Sequence, residues 1–171
     1  MLSEKLEKEL NEQIKYEFYS AYYYLSMAAY FDDQTLDGFS NFFRVQAEEE
    51  QFHAMKFYNF INEKGGRVKL QTIDQPPHEF DSAADVFSKA LEHERFVTKR
   101  IYTLMDLAKE EREHATISML QWFVDEQVEE EDTMETYLRQ IERMGEKGSG
   151  IYMLDKELSA RTFTPPADGE E

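Results

Sequence analysis

Glycine and proline, the residues that most often end helices, are scarce in this chain and lie close together. Only 7 Gly and 4 Pro occur among 171 residues. Between these breaks, apolar residues recur every three or four positions, which is the spacing of one face of an α-helix. In the first such stretch, Leu6, Leu10 and Ile14 follow Ser3, a residue type that favours the N-cap position. The spacing predicts helices at about residues 3–31, 37–64, 82–110, 114–144 and 151–161, within one domain that spans residues 1–171.

The lengths of the connections decide how the four long helices are arranged. Those near residues 33–36 and 110–114 are short, so each joins an antiparallel pair of helices. The connection from Gly65 to Asp81 is long for a helical bundle. In extended form it can travel the full length of a ~40 Å helix. The sequence therefore predicts an all-α fold, a four-helix bundle with one long crossover and a short fifth C-terminal helix.

The charge and the absence of cysteine exclude several classes of function. Asp and Glu outnumber Lys and Arg by 36 to 19, which gives a net charge of −17. A surface this acidic repels nucleic acid and anionic membranes, so neither is expected as a partner, whereas it attracts cations. Without cysteine, disulfides, thiolate zinc sites and iron–sulfur clusters cannot form. No stretch has the apolar length of a signal peptide or a transmembrane helix, and we therefore expect a cytoplasmic protein.

An internal repeat places metal-ligand residue types at matching positions in the two helical hairpins. In each half, an acid on the first helix is followed 33 residues later by an acid or amide, and three residues after that by a further ligand type. The halves are offset by 77 residues. Side chains three apart on a helix project from the same face, so both members of a pair can reach one point. The residues are Glu17, Glu50 and His53 in the first half and Glu94, Gln127 and Glu130 in the second.

The four carboxylates of this repeat lie within the apolar stripes that the helices turn toward the core. Glu17, for example, comes three residues after Ile14 and four before Ala21. A buried carboxylate without a partner is strongly destabilising, and four facing one core would be protonated or would open the bundle. Two divalent cations would cancel the four charges. The pattern therefore predicts a dinuclear metal site, and its oxygen-rich ligands favour iron or manganese.

The same residues also admit more ordinary interpretations. Runs of Glu such as residues 48–50 are usually solvent-exposed, and a lone ExxH pattern is common by chance. Tyr24 follows Glu17 by two helical turns, so its hydroxyl either reaches the metal ligands or is a core hydroxyl with another acceptor. Two rival functions remain open at this point: a small di-iron oxidase or peroxidase without storage, and a metal-free scaffold.

The stretches around these residues resemble the haem-free bacterial ferritins. They are Tyr-Glu-Phe-Tyr-Ser-Ala-Tyr at 16–22, Ala-Glu-Glu-Glu-Gln-Phe-His-Ala at 47–54 and Gln-Trp-Phe-Val-Asp-Glu-Gln-Val-Glu-Glu at 121–130. The resemblance covers essentially the whole chain and implies a ferritin-like bundle with one crossover. It also implies an iron-storage protein: a hollow homo-oligomeric shell of 24 subunits that oxidises Fe(II) with O₂ or H₂O₂ and stores ferric mineral in its cavity.

The resemblance further implies a ferroxidase centre with two irons per subunit, in which Glu50 bridges the metals. Gln127 lies close to the second iron in this scheme, and Tyr24 matches the tyrosine that stands beside the site in the family. Together with the metal ligands, these two residues are expected to carry the oxidation. The first iron is assigned to Glu17, Glu50 and His53, and the second to Glu50, Glu94 and Glu130.

Bacterial ferritins also have a nearby third iron position, which the resemblance transfers to acids beside the dinuclear ligands. Haem is not expected, because Gln51 stands where haem-containing relatives have a haem-ligating methionine. The alternative for the third position is a solvated acidic edge of the bundle. The residues concerned are Glu49, Glu126, Glu129 and Glu130.

Overall fold

The computed structural model describes residues 2–145 and 148–165, and five α-helices follow one another along this part of the chain. α1 packs against α2 and α3 against α4, while α5 lies against α2 and the end of α4. The predicted four-helix bundle with a long crossover and a short fifth helix is confirmed. No helix in the described ranges is long and apolar enough to cross a membrane. The helices are α1 (Glu4–Asp33), α2 (Asp37–Glu63), α3 (Ala83–Glu110), α4 (His114–Met144) and α5 (Ser149–Leu158).

The helix ends differ from the sequence-based boundaries by one to three residues where backbone hydrogen bonds, rather than apolar spacing, decide them. α1 continues to Asp33, two residues beyond the last apolar position of its stripe. α5 begins at Ser149 and ends at Leu158, because Ser159 already caps the helix through bonds to Asp155 and Glu157. Helix ends are the least predictable part of a sequence pattern, since a cap needs no apolar residue.

Both hairpins are closed by the same turn, 77 residues apart, so the internal repeat extends to the backbone. Thr35 and Arg112 each adopt a left-handed conformation, with φ of 58° and 56°. In the first turn the Leu36 N–H donates to the Phe31 carbonyl at 3.0 Å, and in the second the Glu113 N–H donates to the Ala108 carbonyl at 2.9 Å. This pattern satisfies carbonyls that a helix end otherwise leaves without partners. The two hairpins therefore present their helices in equivalent registers.

The long crossover runs along α1 and is held there by side chains of that helix. Asn11 Nδ2 donates to the Arg67 carbonyl at 3.0 Å, and Asn11 Oδ1 accepts from the Lys69 N–H at 2.6 Å. Farther along, Ser26 Oγ donates to the Pro77 carbonyl at 2.7 Å. The two anchor points on α1 are 15 residues apart, which is about 22 Å of helix. The crossover therefore carries the chain from the start of α1 toward its far end, so that α3 begins beside the end of α1, where the ring centroids of Tyr30 and Phe80 are 5.4 Å apart.

Buried apolar residues form two clusters, one toward α5 and one at the opposite end of the bundle. On each long helix, a short interval between the two clusters turns one or two polar side chains toward the inside of the bundle. The four helices together contribute six such residues, which we call the polar layer. They cross the bundle at one level, between two apolar regions that keep bulk water away. The polar layer consists of Glu17 on α1, Glu50 and His53 on α2, Glu94 on α3, and Gln127 and Glu130 on α4.

Candidate metal centre

The structure brings all six residues of the internal repeat together inside the bundle. Their exposed fractions lie between 0% and 5%. Four carboxyl groups in so small a buried volume are not a solvated acidic face, which is the ordinary place for glutamate. Burial without cations would require most of them to be protonated. Their position in the fold is therefore the feature that any function must explain.

One half of the polar layer has the spacing of a cation site. Ligand atoms of Glu17, Glu50 and His53 all lie within 4.8 Å of one another. His53 Nδ1 is 3.3 Å from Glu50 Oε2, so the imidazole is turned toward the carboxylates. Glu17 Oε2 and Glu50 Oε2 are buried and have no hydrogen bond within the described part of the chain. Buried carboxylate oxygens without donors are suited to bind a cation, because a cation replaces the missing partners.

In the other half, Glu94 is held by donors from two other helices. Tyr24 Oη on α1 donates to Glu94 Oε1. Gln127 Nε2 on α4 donates to Glu94 Oε2 at 3.1 Å and to the Glu94 carbonyl at 3.2 Å. Of the two possibilities for Tyr24, the structure thus shows the one in which the hydroxyl reaches a candidate ligand. Gln127 contacts Glu94 through its amide nitrogen, so in this geometry it orients the carboxylate.

Two buried glutamines also hold carboxylates of the polar layer, and the sequence reasoning missed both. Gln13 Nε2 donates to Glu17 Oε1 at 2.9 Å, and Gln46 Nε2 donates to Glu130 Oε2 at 2.8 Å. Each donor leaves the second oxygen of its carboxylate available for a cation. The signal was present in the sequence, since each glutamine stands four residues before a polar-layer acid within an apolar stripe.

His53 is fixed from its outer side by aromatic rings. The ring centroids of Trp122 and Phe123 lie 5.4 Å and 5.8 Å from the imidazole. Trp122 is half-buried and covers the outer edge of the imidazole. His93, which has no partner at ligand spacing in the sequence, pairs with Ser20 Oγ at 2.7 Å. Burial lowers the pKa of His93 to about 4, so this imidazole is a neutral core residue.

Burial raises the pKa of every carboxyl group in the polar layer. The pKa of Glu94 rises to about 7. That of Glu130 rises to about 8, where repulsion from Glu94 adds to burial. Burial, followed by repulsion from the other three carboxylates, holds the pKa of Glu50 well above its ordinary value, and burial likewise raises the pKa of Glu17. Without metal, the layer therefore keeps protons near neutral pH, and a cation that binds must displace them.

These shifts predict that the metal-free protein loses stability as the pH rises. The folded pKa values exceed the ordinary value of 4.5, so the folded state holds more protons than the unfolded chain up to about pH 7 to 8. The resulting stabilisation is complete below the ordinary value and is lost as the pH rises through the folded values. Urea midpoints of metal-free protein should fall between about pH 5.5 and about pH 8.5. Glu130→Gln should flatten this dependence, whereas the exposed Glu92→Gln should not; midpoints that rise with pH would contradict the prediction.

Three further acids, which we call the acidic edge, lie beside the polar layer: Glu49, Glu126 and Glu129. Glu126 Oε1 is 3.9 Å from His53 Nε2, and ligand atoms of His53, Glu126 and Glu130 lie within 4.8 Å of one another. Burial and repulsion from Glu129 both raise the pKa of Glu126. Glu129 itself is exposed. Glu49 is paired with Arg161, a contact that the sequence reasoning did not anticipate.

Comparison with known proteins gives consistent matches over nearly the whole chain. The family model described as a ferritin-like domain matches residues 7–144. Bacterial non-heme ferritin of Staphylococcus aureus (strain USA300) is 43% identical over 163 residues, covering 95% of this chain and 98% of that protein. The corresponding protein of Staphylococcus epidermidis is 47% identical with the same coverage. The open-pore ferritin of the archaeon Archaeoglobus fulgidus superposes with a TM-score of 0.94 at 49% identity, covering 95% of this chain and 100% of that one.

Proposed function

This chain belongs to the ferritin family of iron-storage proteins, and we propose that it is a ferroxidase that oxidises Fe(II) in its polar layer before the iron is stored. The observation that carries the proposal is the convergence of four buried carboxyl groups and one imidazole at a single level of an otherwise apolar core. Iron is the substrate, and carboxylate oxygen with imidazole nitrogen is a ligand set that iron accepts. We assign one Fe(II) to Glu17, Glu50 and His53, and a second to Glu50, Glu94 and Glu130.

The reaction balances with two irons and one oxidant. Two Fe(II) give two electrons, and O₂ with two protons takes them up to form H₂O₂; alternatively, H₂O₂ with two protons forms two water molecules. The protein holds both irons side by side, so that one oxidant molecule receives both electrons. Anionic carboxylates stabilise Fe(III) more than Fe(II), which favours oxidation. Tyr24 and Gln127 orient Glu94, and the two apolar clusters exclude bulk water from the layer.

Storage requires an enclosed space, and we propose that one single-domain chain, residues 1–171, is one of 24 subunits of a hollow shell in the cytoplasm. The names of the relatives support a ferritin assembly, and the net charge of −17 supports attraction of Fe(II) to its surfaces. We further propose a third iron position at the acidic edge together with Glu130. The closeness of these acids supports it, since Glu126 repels both Glu49 and Glu129.

The function can be tested by adding Fe(II) aerobically to the purified protein and counting iron after size-exclusion chromatography. Wild type should oxidise Fe(II) faster than buffer, and the fraction that elutes as a large shell should hold much more iron than the dinuclear sites can bind. Elution as a monomer or dimer with fast oxidation would instead favour a small di-iron oxidase. Oxidation at the uncatalysed rate would favour a scaffold and would exclude the proposed activity.

A further inference from the structure

The segment that follows α5 brings a cationic side chain onto the acidic edge. Arg161 Nη2 lies 2.8 Å from Glu49 Oε2, and the two side chains are only 24% and 16% exposed. The guanidinium carbon is 4.4 Å from the ring centroid of Phe42, a distance at which the ring face attracts a cation. Partly buried charge pairs such as this one are screened less than pairs on an open surface. Arg161 therefore neutralises one of the acids proposed for the third iron position.

The place of Arg161 is determined by how α5 docks on α2. No side chain next to α2 in sequence caps its N-terminus. Asp155 of α5 supplies the cap, because its Oδ1 accepts from the N–H groups of Gly38 and Phe39 at 2.8 Å and 3.1 Å. A Cβ atom at residue 38 would stand 1.6 Å from the Asp155 carbonyl oxygen, so only glycine permits this approach.

A second contact fixes the backbone of Arg161 itself. Asn41 Nδ2 donates to the carbonyls of Leu158 and Arg161, at 3.1 Å and 3.0 Å. The side chain is held less completely than the backbone. Arg161 Nη1 is buried and has no hydrogen-bond partner among the described residues, so the contact with Glu49 lacks the two-pronged geometry of the most stable arginine–carboxylate pairs. The backbone contacts therefore hold Arg161 beside Glu49, but its guanidinium does not use all of its hydrogen-bond donors there.

We propose that Arg161 competes with iron at the third iron position. Its guanidinium pairs with the Glu49 carboxylate until an iron ion displaces it. The inference rests on the proposed function, because it concerns the affinity of a position next to the dinuclear site. A cation at Glu49 and a guanidinium 2.8 Å from the same carboxylate oxygen cannot be accommodated together without strong repulsion. Arg161 therefore makes the third position weaker than the dinuclear pair, so that the pair fills first.

The test is an anaerobic titration of the assembled protein with Fe(II) alone, in which calorimetry measures the binding of each ion. Arg161→Gln should bind the third Fe(II) on the order of tenfold more tightly than wild type, because a nearby positive charge is removed. The first two ions should bind as in wild type. Arg139→Gln is the matched control, since Arg139 forms an exposed pair with Glu135 at 2.6 Å and the change in net charge is the same.

A double-mutant cycle separates competition at Glu49 from a general change in charge. In a Glu49→Gln background, Arg161→Gln should have almost no further effect on the third Fe(II). Should Arg161→Gln fail to assemble, Asn41→Ala offers a second route, because it releases the backbone of Arg161 without changing any charge and should also tighten the third ion. An unchanged or weaker third ion, an equal gain in Arg139→Gln, or a gain that persists without Glu49 would overturn the proposal. If one of these results is obtained while wild type still oxidises Fe(II) fast, only the role of Arg161 is rejected. If wild type does not oxidise Fe(II) fast, the proposed ferroxidase function and the role of Arg161 are both rejected.

Discussion

Replacing Glu17 or Glu94 with alanine should slow rapid Fe(II) oxidation by about a hundredfold or more, because each acid serves one iron position and two-electron transfer needs both. Both side chains are almost completely buried, at 1% and 0% exposure, so no neighbouring surface acid can take their place. Stopped-flow absorbance after mixing Fe(II) with air-saturated protein measures the initial rate. Glu92→Ala, an exposed acid two residues before Glu94 on the same helix, is the control and should oxidise like wild type. Wild-type rates in either site variant would contradict the ligand assignment.

The two variants should differ in stability although they are alike in activity. Glu17→Ala removes an acid whose pKa is raised by burial, and it leaves one donor, Gln13, without its acceptor. Glu94→Ala removes two hydrogen bonds: it leaves the Tyr24 hydroxyl without an acceptor, and it takes one acceptor from Gln127, whose amide keeps the backbone carbonyl at position 94 and Thr98 Oγ1. An unsatisfied buried donor costs about 1–3 kcal/mol. Metal-free Glu94→Ala should therefore unfold at lower urea concentration than metal-free Glu17→Ala; the reverse order would show that the Tyr24 and Gln127 contacts contribute little.

Glu50→Ala should abolish both tight Fe(II) sites, whereas His53→Ala should abolish only one. Burial, together with repulsion from Glu94, Glu17 and Glu130, raises the pKa of Glu50, so this carboxyl group interacts with all three of the others. His53 faces Glu50 with Nδ1, and aromatic rings cover its outer side. Losing a shared ligand should therefore affect both irons, and losing the imidazole should first affect the iron assigned to Glu17.

Anaerobic Fe(II) titration counts the sites directly and does not depend on turnover. Gln51→Ala is a suitable control, because Gln51 adjoins Glu50 on α2 but is exposed. The control should keep two tight sites. Equal losses in Glu50→Ala and His53→Ala would show that the two iron positions are coupled so closely that neither exists alone, and the bridging role of Glu50 would then have no support.

Local sequence spacing was sufficient to predict the helices, their pairing and the residues of the polar layer. The reason is that the α-helix has a fixed period, so Glu50 and His53 must share a face whatever surrounds them. The offset of 77 residues then predicts that the two hairpins present equivalent positions, and the matching turns at Thr35 and Arg112 have the same offset. Acids within an apolar stripe also predict burial, because the stripe is the face that packs. The face of the helix on which a residue lies, and the burial of that face, depend on neighbours within a few turns of the same helix.

Contacts between helices were decided only by the tertiary structure. Gln46 donates to Glu130, 84 residues away, although the sequence spacing points it toward Glu50 on its own helix. Tyr24 meets Glu94 across 70 residues, and Arg161 reaches Glu49 across 112. Spacing determines which face a side chain lies on, but the rotation and axial shift of packed helices determine which residue it meets. The acids of the site could thus be named from the sequence, whereas the groups that orient and neutralise them required the packed bundle.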